Sequence, residues 1–254
     1  MALLGWRGNT PESVMRIGIL QTGHTPEALV AQSGTYPDMF RRLLAGQGFD
    51  FRDYAVVDME FPASPQDCDG WIITGSRHGV YEDHPFIPPL EDFIRRAQAD
   101  GVPMVGICFG HQIIAQALGG KVEKFAGGWA VGPQDYDFDG TTLRLNAWHQ
   151  DQVTTPPPGA RTLASNAFCA HAALAYGDTM FTVQAHPEYG PDFIEGLMET
   201  RGRGVVPDPL MDAARARLDQ PLDNQTLAAR IAAFFKAPRE PQQVPHARLD
   251  RQSA

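Results

Sequence analysis

Between Met104 and Leu118 the chain changes its period within one residue. Met104-Val-Gly-Ile107 is a short apolar run behind a proline, the pattern of a buried strand. Phe109 to Leu118 then places apolar residues at helical spacing and stops at Gly119-Gly120. Only Cys108 stands between them. The same alternation precedes it. Residues 16–22, 51–57 and 70–75 read as strands; Tyr36, Met39, Phe40, Leu43 and Leu44 mark one helix, and Leu90, Phe93, Ile94 and Ala97 another. Residues 23–35 are small and polar and predict a loop. Strands alternating with helices imply a parallel sheet covered on both faces.

After Lys121 the pattern shifts. Residues 129–131, 142–147, 161–164, 173–176 and 180–184 read as short strands separated by turns, a small antiparallel extension of the sheet. Helical spacing returns at 193–200, 210–218 and 227–235. The expected organisation is a loose leader over 1–15, one α/β domain over 16–236, and a disordered tail over 237–254, rich in Pro, Gln and Arg.

Composition narrows the functional classes. With 21 basic against 30 acidic residues the net charge is −9, which argues against a general nucleic-acid binder. No apolar run is long enough to cross a membrane, and the start lacks the apolar core and cleavage site of a secretory signal. Three widely spaced cysteines, Cys68, Cys108 and Cys169, exclude a disulfide scaffold and suit a reducing, cytoplasmic setting.

The chemistry concentrates at Cys108. Gly106 and Gly110 flank it, as a tight strand-to-helix turn requires. The turn lifts the sulfur above the sheet edge and sets it at a helix N-terminus, where the dipole favours a thiolate. The alternative is a buried structural cysteine, the role assigned to Cys68 and Cys169, which have no such turn. A nucleophilic thiol needs a base, and Gln184-Ala-His-Pro-Glu188 closes the run 180–183. In extended chain His186 and Glu188 project the same way, and Pro187 fixes the backbone between them. Glu188 then orients His186. Alone, such a segment is an ordinary turn. His24, His84, His111 and His171 show no metal-ligand spacing, and no phosphate-binding glycine motif is present, so no metal or cofactor is expected.

Gly-Ile-Cys-Phe-Gly-His-Gln followed 78 residues on by Gln-Ala-His-Pro-Glu resembles the class I, triad-type glutamine amidotransferases, including GMP-synthase-type domains and γ-glutamyl peptidases. The resemblance spans roughly residues 16–200. It implies a flavodoxin-like three-layer sandwich, with Cys108 as nucleophile, His186 as base and Glu188 as orienting acid. It implies an oxyanion hole from the amides of Gly75 or Ser76 and of Phe109. Thr74-Gly-Ser-Arg-His78 departs here from the family's Gly-Gly-Pro-like turn, and Arg77 and His78 are read as solvated loop residues. Gln112 on the helix after Cys108, Trp129 in the glycine-rich segment 127–132, and His149 and Asp151 in Trp148-His-Gln-Asp-Gln-Val153 are the substrate-binding candidates that it suggests.

The activity implied is hydrolysis of the γ-amide of glutamine or a small γ-glutamyl compound through a γ-glutamyl thioester. A glutaminase subunit serving a separate synthetase and a thiol sensor without catalysis are the alternatives on this fold. A cysteine-elbow α/β-hydrolase would take its acid from Asp151 or Asp178 instead.

Overall fold

The computed structural model describes residues 14–239. Nearly all of the predicted leader, and the tail from residue 240 on, lie outside the described residues. The elements run β1 (Met15–Leu20), α1 (Glu27–Ser33), α2 (Tyr36–Leu43), β2 (Phe49–Tyr54), β3 (Gly70–Ile73), α3 (Ile87–Ala99), β4 (Met104–Ile107) and α4 (Phe109–Ala117). They continue as β5 (Lys121–Lys124), β6 (Ala130–Phe138), β7 (Thr141–His149), β8 (Asp151–Thr155), β9 (Ala160–Ser165), β10 (Ala173–Tyr176) and β11 (Met180–Val183). Helices α5 (Pro191–Leu197), α6 (Asp208–Arg215) and α7 (Asn224–Lys236) complete the order.

One nine-stranded sheet carries the order β2-β1-β3-β4-β11-β10-β9-β6-β7. From β2 to β11 the pairs are parallel, and from β11 to β7 they are antiparallel. The interior parallel strands β3, β4 and β11 are buried on both faces, while the edge strand β2 is polar on one, and their alternation sorts the core into two layers. Ile17, Ile19, Ile72, Val105, Ile107, Phe181 and Val183 pack with Phe40 and Leu43 of α2 and Leu227, Ile231 and Phe235 of α7. Leu20, Trp71, Ile73, Met104 and Met180 pack with Leu90, Phe93 and Ile94 of α3 and Ile113 and Ile114 of α4. Full burial of each such side chain stabilises the fold by about 1.5–3 kcal/mol. The result is the expected three-layer sandwich. Helix α2 starts where Thr35 and Asp38 cap each other reciprocally. Gly18 lies under the Trp71 indole, which a Cβ there would overlap.

The structure corrects the sequence at three places. Residues 23–35 contain α1, which buries Leu29 against Gly196. The second strand ends at Tyr54, earlier than expected, because its partner β1 ends at Leu20; Val56 falls in a short 3₁₀ turn. Lys121–Lys124 and Asp151–Thr155 pair as a separate two-stranded sheet, which their polar composition hides.

Candidate active site

β4 delivers Cys108 to the edge of the sheet with φ 53° and ψ −101°, in the left-handed half of backbone space. Holding a cysteine there costs on the order of 1–3 kcal/mol. The neighbours leave it little choice. Its amide donates to the Val183 carbonyl at 2.8 Å. A Cβ on Gly106 would collide with the Gly110 backbone, and one on Gly110 with that of Ile73. Both flanking glycines are therefore required by close approach, as the sequence predicted.

β11 lies between β4 and β10, so His186 just beyond its end arrives beside Cys108. The His186 amide donates to the Asn146 carbonyl at 2.8 Å. Its ring is held on three sides. Nδ1 meets Glu188 Oε1 at 2.7 Å. The Tyr189 ring stacks on it at 3.9 Å with 7° between planes. A Cβ on Gly75 would lie 2.8 Å from its Cε1. Because the carboxylate accepts from Nδ1, Nε2 is left for its other neighbour, the Cys108 thiol. The side chains of His186 and Glu188 are only 3% and 1% exposed. Burial opposes the imidazolium, but Cys108 and Glu188 outweigh it and raise the histidine well above its ordinary pKa. The second Glu188 oxygen is buried without a partner. Burial pushes Cys68 up to about 11 and Cys169 up to about 12.

The turn after β3 is pinned from β1. Thr22 Oγ1 donates to the Thr74 and Gly75 carbonyls at 3.0 and 3.1 Å, and Ser76 Oγ donates to the Thr22 carbonyl at 2.7 Å. In a planar trans peptide the N–H points opposite the preceding C=O. Pinning those two carbonyls therefore turns the Gly75 and Ser76 amides away from Thr22. Phe109 follows Cys108 as the first residue of α4, where amides have no partner within the helix.

Ser76, Cys108 and His186 open on a cleft of about 370 Å³, whose lining does not include Gly75, Phe109 or Glu188. Ser76, Cys108, Gln112, Trp129, His149, Asp151 and His186 all line it. The Gln112 amide is committed to the Asp151 carbonyl and Gln184 Oε1, at 2.9 and 3.1 Å, so it braces α4 against β8 and β11. His149 Nδ1 donates to the Asp151 carbonyl at 3.2 Å, leaving Nε2 buried without a partner. Burial and the nearby His186 hold His149 down at about 3, hence neutral. Asp151 accepts from the Tyr81 hydroxyl at 3.0 Å; burial raises its carboxyl. Trp129 tilts against Trp148 with ring centroids 5.9 Å apart.

Several lining residues were not among the site candidates offered by the sequence: Tyr36, Tyr81, Lys124, Tyr189 and Arg201. Arg201 sits in a π-helical turn, Met198–Gly202, and its guanidinium donates to the Tyr36 hydroxyl and the His24 carbonyl at 3.2 and 2.9 Å. Only Tyr189, directly after Glu188, carried a signal in its position. His78, expected as a solvated loop residue, instead lines the cleft with its side chain 17% exposed, as does the exposed Arg77. His111 packs inside, against Thr182 Oγ1 at 2.8 Å.

Residues 40–194 match the family described as glutamine amidotransferase class-I. Gamma-glutamyl peptidase 4 of Arabidopsis thaliana is 32% identical over 193 residues, 69% of this chain and 77% of the relative. A GMP synthase [glutamine-hydrolyzing] of Thermus thermophilus is 35% identical over 163 residues, 56% of this chain but 30% of that protein. Among solved structures, a glutamine amido transferase from Methylobacillus flagellatus shares the fold with a TM-score of 0.67 and 24% identity, over 87% of this chain and 91% of that one.

Proposed function

The chain belongs to the class I glutamine amidotransferase family, and on that premise we propose that it cleaves the γ-amide bond of a small γ-glutamyl compound, or of glutamine, through a thioester on Cys108. The observation that carries this is the cysteine held at positive φ beside an imidazole clamped by a buried carboxylate.

In this mechanism the Cys108 sulfur attacks the γ-carbonyl carbon. The oxyanion is met by the amides of Gly75 or Ser76 and of Phe109, which are fixed before charge develops. His186 gives its proton to the departing amine or ammonia, the C–N bond breaks, and the γ-glutamyl group remains on sulfur. Water then attacks the thioester. His186 takes its proton, and glutamate and the free thiol are released. Glu188 holds the imidazole tautomer and stabilises the imidazolium.

The cleft suits a γ-glutamyl head group by charge. Asp151 and the bare Nε2 of His149 offer acceptors for its ammonium, and Lys124 and Arg201 offer cations for its carboxylate. Trp129 supplies an apolar wall. The turn from Thr74 to Ser76 is already tied to Thr22 in the isolated chain, which favours turnover without a partner. The test is the rate of the purified chain on glutamine and on a panel of γ-glutamyl amides and peptides. Release of glutamate without any partner is expected. Negligible rates across the panel, restored by a synthetase that binds the chain, would favour ammonia delivery, the role that the GMP synthase relatives suggest.

A further inference from the structure

Three donors converge outside the Cys108 centre, on the loop between β3 and α3. His84 Nε2 lies 2.8 Å and His78 Nδ1 lies 3.8 Å from the same oxygen, Glu82 Oε2. One ligand atom from each of the three residues fits within 4.8 Å of the others. The two imidazole rings are 4.0 Å apart at their centroids and tilted by 57°, so neither stacks flat over the other. We propose that His78, Glu82 and His84 form a binding site for a divalent first-row transition metal, with zinc as its best fit, at the rim of the cleft.

The donor chemistry supports the assignment. Two imidazoles and one carboxylate are a recurrent three-ligand set for zinc, leaving a further coordination position for water or a ligand. Bonds of about 2.0–2.2 Å in a tetrahedron require ligand atoms about 3.3 Å apart. The separations of 2.8 and 3.8 Å bracket that value, so small side-chain rotations close the set. The local backbone is already fixed. The His78 amide donates to Ser76 Oγ at 3.2 Å, the Glu82 amide to the Gly79 carbonyl at 3.1 Å, and the His84 amide to the Glu82 carbonyl at 3.0 Å. The His84 ring stacks on Phe86 at 5.8 Å, with 22° between planes.

Arg77, next to His78 in the chain, weakens the pull on a cation, and Glu82 is the carboxylate that offsets it. Calcium or magnesium fits poorly, since both take sets of oxygen ligands. His78 and Glu82 line the same cleft as Cys108, so a metal held there would border the substrate's approach.

The experiment is a zinc titration of the metal-stripped full chain by calorimetry, with Co²⁺ as the spectroscopic probe. Wild type is expected to bind one zinc, and Cys108→Ala to keep it, because the Cys108 thiol is no ligand. His84→Ala is expected to weaken binding by at least about 100-fold, more than loss of an outer-sphere partner costs. Its thermal unfolding confirms that it is folded. Cobalt in wild type should show d–d bands without a thiolate charge-transfer band. If wild type binds no zinc, if His84→Ala binds it as wild type does, or if Cys108→Ala loses it, the assignment is overturned.

Discussion

Among the described residues, two of the histidine–carboxylate pairs are almost equal in length: His186 with Glu188 at 2.7 Å and His84 with Glu82 at 2.8 Å. In each, the two residues are two positions apart. Their surroundings differ. The first pair is 3% and 1% exposed, and the second 30% and 47%. Out of water the carboxylate acts on its histidine at low dielectric, and removing one partner leaves the other uncompensated. At the rim the same contact is solvated, and water can replace either partner. Distance alone therefore says little about what a pair does. The inner pair fixes one imidazole against one sulfur, while the outer pair leaves its donors available to a third body.

The comparison breaks first at the inner site. Cys108→Ala and His186→Ala should each lower turnover by about 10⁴-fold or more, and the double variant should lose little further, because the two groups act as a unit. Steady-state kinetics on the best substrate measures this; additive losses would show that they act separately.

Glu188→Gln should cost between about 10² and 10⁴-fold, since the amide keeps the shape and loses the charge. It should also alter stability with pH. The folded-state pKa of His186 is raised, so its contribution is full below about pH 6.5 and declines as pH rises through the folded value. The melting-temperature gap between wild type and Glu188→Gln should thus be widest in mildly acidic buffer and narrow in alkali. A gap that does not change with pH would mean that Glu188 acts by packing alone.

Gly75→Ala tests geometry without touching a charge. Its Cβ would stand 2.8 Å from His186 Cε1 and must push the ring off the thiol. A displacement of this kind costs about 10²-fold in rate, visible in kcat with thermal stability nearly kept. The smallest effect belongs to the rim. His84→Ala should change stability in metal-free buffer by less than about 1 kcal/mol, and by less again in high salt. A loss as large as that of an inner-pair variant would show that exposure is a poor guide here.

The inner pair was legible in the sequence because its demands are local. Glycines beside Cys108 and a proline between His186 and Glu188 are backbone requirements, and those leave marks in a linear chain. The sheet's parallel half was legible for the same reason, from short apolar runs alternating with helical spacing. The cleft walls were not. Tyr36, Lys124 and Arg201 meet only through tertiary packing, and nothing near them in sequence sets them apart. α1 stayed hidden because just one of its side chains, Leu29, is buried. His78, Glu82 and His84 escape notice as a metal-ligand set: His78 follows the strand and turn of residues 70–76 and reads only with that turn, and nothing local marks Glu82 or His84.

The place of β11 in the sheet has a consequence for how the protein is made. It is the last strand among the described residues, yet it lies in the interior of the sheet, between β4 and β10. A nascent chain that has reached β10 holds Cys108 but leaves the apolar edge of β4 unpaired, the kind of edge that recruits other strands. Only when residues 180–183 emerge does that edge close, and His186 follows within three residues. Sheet closure and the arrival of His186 beside Cys108 are therefore one event in synthesis, late and long-range. A ribosome that stalls before it releases a sticky edge and a Cys108 without its histidine neighbour.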